Sequence, residues 1–150
     1  MKTANKTLEY QTKGEFDFID ITDEVKKFAK ESQIKNGLIN IQTLHTTTAI
    51  ILNENEPLLL EDIKNNLKRI APSNIEYRHD DFSVRTVNMC PGERTNGHSH
   101  CKAIYLSANA TLNIIEGKLQ LGQWQNIMLL ELDRSRMRKI QIQIIGEIKK

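Results

Sequence analysis

The sequence predicts an α+β domain with a mainly antiparallel, two-sheet β core and two covering helices. Two segments repeat apolar residues at helical spacing, and the C-terminal half is a series of short β-branched stretches. The connections between those stretches, such as Glu116-Gly117, are too short for crossover helices, so neighbouring strands should run antiparallel. A chain of 150 residues is long enough to bury one core, which predicts a single domain over residues 1–150.

The two helices are predicted from apolar faces and end signals. The first begins near Thr22, a residue type that favours the N-cap, and acidic residues follow it in the first turn. Its apolar face consists of Ile21, Val25, Phe28 and Ala29. The second begins at Pro57 and ends before Pro72. Its apolar stripe consists of Leu60, Ile63, Leu67 and Ile70.

The strands are predicted where β-branched and apolar residues dominate. In chain order these segments read GLINIQTL, TAIILN, KAIYLS, ATLNII, KLQLGQW, NIMLLEL and RKIQIQIIGE. The last alternates cleanly, with Ile140, Ile142 and Ile144 on one side. The Asn36-Gly37 pair, just after the first helix, is interpreted as a helix stop or tight turn.

Composition argues against several classes of function. The 21 Lys and Arg residues nearly balance the 19 Asp and Glu residues, and their signs are interspersed, which argues against nucleic-acid binding. The sequence shows no apolar leader and no run of about 18 apolar residues, so we expect no membrane contact and a cytoplasmic location. Cys90 and Cys101 are the two cysteines, and we expect both to be reduced.

The segment LHTTTAIILNENEP joins His45 and Thr46 to Asn53 and the start of the second helix. An imidazole and hydroxyls beside free N–H groups of a helix N-terminus make an anion pocket. The alternative is that the threonines favour a strand and the Asn and Glu residues cap the helix.

Two further segments concentrate histidines. In EYRHDD, a carboxylate beside His79 would fix its tautomer, as a general base or metal ligand requires; the alternative is a solvated polar turn. In ERTNGHSH, His98 and His100 would share one face of an extended chain. Two such imidazoles and a third could bind zinc, or together with Arg94 and Asn96 they could hold a phosphate.

Other polar and aromatic residues have two interpretations each. Asp62 lies near the edge of the second helix's stripe, so its carboxylate is either a surface charge or turned inward to orient an imidazole. Arg134, Arg136 and Arg138 would share a strand face, which is either a charged edge or solvent face that opposes aggregation or a phosphate-binding surface, and we favour the first interpretation. Trp124 is interpreted as a core or interface anchor.

In this order the segments resemble the YjbQ-like family of small bacterial and archaeal proteins over nearly the whole chain. The most specific part is Gly-x-Leu-x-Leu-Gly-x-Trp-Gln, here Gly117, Leu119, Leu121, Gly122, Trp124 and Gln125. A second diagnostic part consists of His45, Thr46, Asn53, Glu54 and Asn55. This chain departs from the family pattern at Gln123, usually Thr, and at Glu56, usually Asp.

The resemblance implies a single YjbQ-like domain over residues 1–150, with a compact two-sheet α+β fold that assembles as a homotrimer. It also implies a bound metal in several members of the family. Finally, it implies a weak thiamine-phosphate-synthase-type activity, which joins a pyrimidine diphosphate to a thiazole phosphate.

The resulting hypothesis is an enzyme that acts on a phosphorylated or otherwise anionic small molecule at a histidine-rich cleft. A divalent metal, zinc first, would be held by His45, His98 and His100. His79 would transfer protons, and Asp62 would orient an imidazole. The substrate contacts would be Thr46, Asn53, Arg94 and Asn96. The alternative hypothesis is a non-catalytic trimeric module that binds an anionic metabolite or a metal.

Overall fold

Two antiparallel sheets share one apolar core in the computed structural model, which describes residues 1–148. The strands are β1 Lys2–Gln11, β2 Phe18–Asp20, β3 Ile34–Thr43, β4 Thr48–Asn53, β5 Asn109–Ile115, β6 Lys118–Leu119, β7 Asn126–Glu131 and β8 Met137–Ile148. The helices are α1 Thr22–Glu31, α2 Pro57–Ile70 and α3 Gly97–Ala103, with a 3-10 helix at Arg78–Asp80. The predicted α+β class is confirmed, with three α-helices instead of two.

The five-stranded sheet has the order β1-β8-β3-β5-β6, and the three-stranded sheet has the order β2-β7-β4. The alternation predicted for the last strand places its isoleucines in the core, since Ile140, Ile142 and Ile144 are fully buried. The opposite sheet contributes Ile50 and Leu129 to the same core. Burying one such side chain contributes about 1.5–3 kcal/mol, so this core is the main source of stability.

The α1 helix buries the predicted face, with Val25 and Ala29 in the core, but its start differs from the prediction. Ile21 occupies the N-cap position, and the Asp20 carboxylate accepts the Thr22 N–H at 2.9 Å. The Thr22 hydroxyl instead accepts the N–H of Ile127 at 2.9 Å. Thr22 therefore connects α1 to β7 and does not cap its own helix.

The predicted turn at Asn36-Gly37 is wrong, because both residues lie inside β3. Gly37 pairs with Gly146 of β8, and a Cβ on Gly37 would stand 2.2 Å from the carbonyl oxygen of Ile145. The glycine is thus required by the close approach of two backbones and not by a turn.

Other assignments also differ from the sequence prediction, including the short strand β2, which was not predicted. β1 was missed because it is an edge strand of mostly polar residues, and only its inward positions such as Leu8 contact the core. The segment KAIYLS is not a strand: α3 ends at Ala103, and Ile104 and Tyr105 are exposed beyond it. Of KLQLGQW, only Lys118–Leu119 pairs as a strand. No helix within residues 1–148 is both long and apolar enough to cross a bilayer.

A buried ion pair joins the two sheets at one end of the molecule. Arg138 of β8 donates two hydrogen bonds of 2.6 Å to the carboxylate of Glu131 at the end of β7. Thr47 accepts a third bond from the guanidinium at 3.0 Å, and Thr12 donates to the carboxylate at 2.8 Å. Since all four residues are buried, this network is satisfied internally and shielded from solvent.

Removing one partner of this pair should destabilise the protein strongly. We expect Glu131→Gln to lower the free energy of unfolding by about 3–5 kcal/mol, because it leaves the Arg138 guanidinium buried without a counter-charge. Urea denaturation measures this loss. The control is Glu9→Gln, which breaks an exposed 3.0 Å ion pair with Lys139 and should cost less than about 1 kcal/mol. Equal losses in both variants would contradict the assigned role of Glu131.

Candidate functional site

Asp80 connects the 3-10 helix to the start of α3 through hydrogen bonds. Its carboxylate accepts the N–H groups of Asn96 and Gly97, each at 2.9 Å, so it occupies the helix N-terminus. Gly97 permits this approach, because a Cβ there would stand 2.5 Å from the Tyr77 Cβ. The contact fixes the 3-10 helix, which carries His79, against the helix that carries His98 and His100.

His79 and His100 form a close pair, whereas His98 lies elsewhere on α3. The ring centroids of His79 and His100 are 4.6 Å apart, in an edge-on arrangement. His98 lies near Tyr77, with ring centroids 6.4 Å apart, and its Nε2 is 3.6 Å from Glu15. The predicted shared strand face of His98 and His100 is wrong, because residues two apart on a helix point to roughly opposite sides.

Residues of the 3-10 helix line two clefts. One, of about 660 Å³, is lined by Tyr77, Asp80 and His98. The other, of about 620 Å³, is lined by His79 and Arg85. The Arg85 guanidinium donates to the backbone oxygens of His79, Val87 and Asn88, which connects the 3-10 helix to the loop that follows it.

Burial lowers the pKa of both His98 and His100. For His98 the Lys102 ammonium lowers the pKa further, and for His100 the neighbouring His79 does. The negative charges of Asp133 and Asp80 act on both imidazoles in the opposite direction. Both rings are therefore neutral at pH 7, the form that binds a metal or accepts a proton.

His45 belongs to a different environment. Its Nε2 accepts the N–H of Lys139 at 2.8 Å, so this nitrogen is engaged and Nδ1 carries the proton. Burial, followed by the charge of Arg138, lowers the pKa of His45, and Arg136 lowers it as well. The charges with the largest effect on the pKa of His45 therefore differ from those with the largest effect on His98 and His100.

Most of the predicted substrate contacts lie on the surface. Thr46, Asn53 and Arg94 are exposed, and the Asn53 side chain accepts the N–H of Glu54 at 2.8 Å. The anion pocket predicted at the start of α2 is filled by the chain itself, because Glu56 accepts the N–H groups of Leu58 and Leu59 at 3.0 and 2.7 Å.

Asp62 and Asn96 have opposite environments. Asp62 is exposed on α2, and its carboxylate makes no hydrogen bond or ion pair with any residue in 1–148, so the inward orientation considered for it is not observed. Asn96 is only 4% exposed and lies beside Asp80, at the start of α3. Of the predicted substrate contacts, Asn96 is therefore the one buried beside the histidines.

Four buried polar atoms around this site lack a hydrogen-bond partner within residues 1–148. They are His79 Nε2, Asn96 Oδ1, Asp133 Oδ2 and Arg134 Nη1. Buried polar atoms are normally paired, and unpaired ones concentrate where a ligand, an ion or water binds. Asp133 cannot be recognised from the sequence, because nothing in the turn DRSR distinguishes a buried carboxylate from a solvated one.

The histidines of the site fit a divalent metal only in part. Within residues 1–148, no group of three or more His, Cys, Asp or Glu side chains is arranged to hold a metal ion. His100 fits as a single ligand, since its imidazole is neutral at pH 7, and the adjoining His79 has an Nε2 without a partner among these residues. The set of His45, His98 and His100 does not fit, because His45 Nε2 is occupied and the other two point apart.

Comparison with known proteins identifies the family of this chain. The family described as UPF0047 protein YjbQ-like matches residues 6–147. A UPF0047 protein of Methanothermobacter thermautotrophicus is 33% identical over 98% of this chain and 95% of its own length. This chain belongs to the YjbQ-like family.

Other relatives agree with this membership. The UPF0047 protein YugU of Bacillus subtilis is 32% identical over 94% of this chain and 98% of its own length. The crystal structure of a protein of unknown function from Sulfolobus solfataricus superposes with a TM-score of 0.86, at 35% identity, and covers 97% of this chain and 99% of its own. The YjbQ-like family is one of uncharacterised proteins of unknown function.

The lowered pKa values of His45, His98 and His100 predict that stability falls in mild acid. The unfolded chain binds protons near the ordinary histidine pKa of 6.5, whereas the folded chain binds them only at lower pH. Stability is therefore fully present above that pH and declines below it. Urea unfolding midpoints should be lower at about pH 5.5 than at about pH 7.5, a window above the carboxylate range.

The matched variant for this test is His45→Gln. Its amide oxygen can still accept the Lys139 N–H, but the side chain no longer titrates. We expect a smaller decline in stability between the two pH values than in the wild type. If the stability of the variant declines as much as that of the wild type, His45 does not contribute to the pH dependence of stability.

Proposed function

We propose that this chain is a small cytosolic enzyme that acts on a phosphorylated or otherwise anionic small molecule, bound beside His79, His98 and His100. One observation carries the proposal. Buried polar atoms with no partner within residues 1–148 lie on the segments that carry or adjoin these histidines, and they include His79 Nε2 and Asn96 Oδ1. A bound molecule with its own donors and acceptors would satisfy them.

His79 is the residue we assign to proton transfer. Its Nε2 is buried and has no competing partner within residues 1–148, and its ring adjoins His100. General acid–base catalysis requires a group whose lone pair or proton is available to the substrate and not engaged in the structure. His45 does not meet this requirement, because its Nε2 already accepts a backbone N–H.

A divalent metal, zinc first, is the cofactor we propose for this site. His100 would contribute an imidazole ligand and substrate oxygens would complete the coordination, which leaves His79 Nε2 free to move the proton. When bound, such an ion supplies a Lewis acid that polarises a phosphate oxygen. The residues of the chain would position the substrate and move the proton.

The experiment replaces His79 with Ala and measures both binding and turnover. The binding probe is inorganic pyrophosphate, and the activity assay is the joining of a pyrimidine diphosphate to a thiazole phosphate, with and without added zinc. We expect turnover to fall by about 10²–10⁴-fold, because the group that moves the proton is lost. Glu61→Gln, on the exposed face of α2, is the control and should leave turnover unchanged.

The outcomes separate the two hypotheses for this chain. If the wild type binds pyrophosphate but shows no turnover, and His79→Ala binds equally well, the chain is a non-catalytic module that binds an anionic metabolite. If the wild type binds neither pyrophosphate nor zinc, the proposed site is wrong. Elemental analysis of the purified protein measures independently whether it contains a bound metal.

A homotrimer is the assembly we propose, supported by the apolar side chains that the single chain leaves exposed. Ile104 is 83% exposed and Tyr105 69%, directly after α3. Trp124 is 65% exposed, so it is not the core anchor that the sequence allowed. Large exposed apolar groups of this kind typically mark contact surfaces between proteins.

Light scattering coupled to size-exclusion chromatography tests the assembly. We expect a mass of three times the 17.3 kDa chain. Ile104→Asp should shift the mass towards one chain, because a charge at a buried subunit contact is unfavourable. Glu116→Gln, which changes an exposed charge elsewhere, is the control. A wild-type mass of one chain would contradict the proposal.

A further inference from the structure

The turn between β7 and β8 has a fixed conformation and carries three adjacent charged residues. Thr12 anchors it: its hydroxyl accepts the Arg136 N–H at 3.0 Å, and its backbone oxygen accepts the Ser135 hydroxyl at 2.5 Å. The Asp133 N–H donates to the buried Glu131 carboxylate at 2.9 Å. The charged side chains of this turn are therefore presented from a rigid support, as binding residues require.

Asp133 lies between two arginines. The Asp133 side chain is only 6% exposed. Its Oδ2 lies 3.1 Å from Arg136 Nη2 and 3.6 Å from Arg134 Nη1. Neither contact has hydrogen-bond geometry, so Oδ2 and Arg134 Nη1 both lack a directed partner within residues 1–148. Two guanidinium charges against one carboxylate leave a net positive charge at the turn.

The charges of this turn act on the histidines of α3 and on His45. The charge of Asp133 acts on His98 and His100, and the charge of Arg136 acts on His45. The arginines are each about one-third exposed, so a ligand can reach them, while the N–H of Arg134 Nη1 is shielded from water. A shielded cationic donor without an acceptor fits a ligand that brings an anionic oxygen.

We propose that Arg134 and Arg136 form an anion clamp for the phosphate or diphosphate group of the ligand, with Asp133 as the positioning residue that aligns both guanidiniums. This inference rests on the proposed function and names the part of the site that binds the anion. Two guanidiniums present forked N–H donors that match phosphate oxygens. Arg94, which is exposed, is not part of the clamp.

Calorimetric titration with inorganic pyrophosphate at about 0.15 M salt tests the clamp. We expect Arg134→Gln and Arg136→Gln each to weaken binding by about tenfold or more, because each loses a charge-assisted bond to the anion. Arg69→Gln removes an equal charge from the exposed end of α2, and it should change affinity by less than about twofold.

Asp133→Asn distinguishes positioning from simple electrostatics. Removing a negative charge would by itself strengthen anion binding, whereas loss of alignment weakens it. We expect weaker binding, by about tenfold, in a variant whose circular dichroism spectrum matches the wild type. Stronger binding would overturn the positioning role. The two arginine variants test the clamp even if this variant does not fold.

The remaining outcomes separate this inference from the function on which it rests. If the wild type binds pyrophosphate and both arginine variants bind equally well, the clamp is wrong and the histidine site stands. Loss of binding in Arg94→Gln alone would transfer the anion contact to that residue. If the wild type does not bind pyrophosphate, the clamp and the proposed function both fail.

Discussion

The buried ion pair between Glu131 and Arg138 is the contact on which the functional end of the molecule depends. Glu131 ends a strand of the three-stranded sheet, and Arg138 lies near the start of a strand of the five-stranded sheet, so the pair joins the two sheets. Both charges lose their hydration there, and Thr12 and Thr47 satisfy the remaining donors and acceptors. The same threonines also hold the turn that carries Asp133, so stability and site geometry have a common origin.

A second constraint arises from the way α3 begins. The Asp80 carboxylate occupies the N–H groups that start the helix, and Gly97 admits the 3-10 helix at close range. This contact places the His79 ring beside the His100 ring, although the two residues belong to different helices. The acidic residue beside His79 therefore has a different role from the one expected. Asp80 positions α3 and does not orient the His79 imidazole that precedes it in sequence.

The charges around the site favour an anionic ligand. The carboxylates of Asp80 and Glu131 are satisfied by backbone or guanidinium donors, and His98 and His100 are neutral because burial lowers their pKa. A guanidinium donor of Arg134 is left buried without an acceptor within residues 1–148. A phosphorylated ligand would supply the missing acceptor, and the neutral imidazole of His100 could bind a metal beside it.

The sequence by itself determined the α+β class, the buried face of α1 and the buried side of β8, because these depend on apolar periodicity within one segment. The stripe predicted for α2 is buried only in part, since Leu67 lies in the core and Ile70 is exposed. The sequence also identified the histidines that carry the proposed site. Tertiary structure decided how they combine, since pairing depends on contacts between segments distant in the chain. It made residues 97–103 a helix, engaged His45 Nε2 with the N–H of Lys139, and buried Asp133 in a turn that sequence pattern reads as solvated. A long-range hydrogen bond leaves no periodic signal in the chain, which is why these features appear only in the folded molecule.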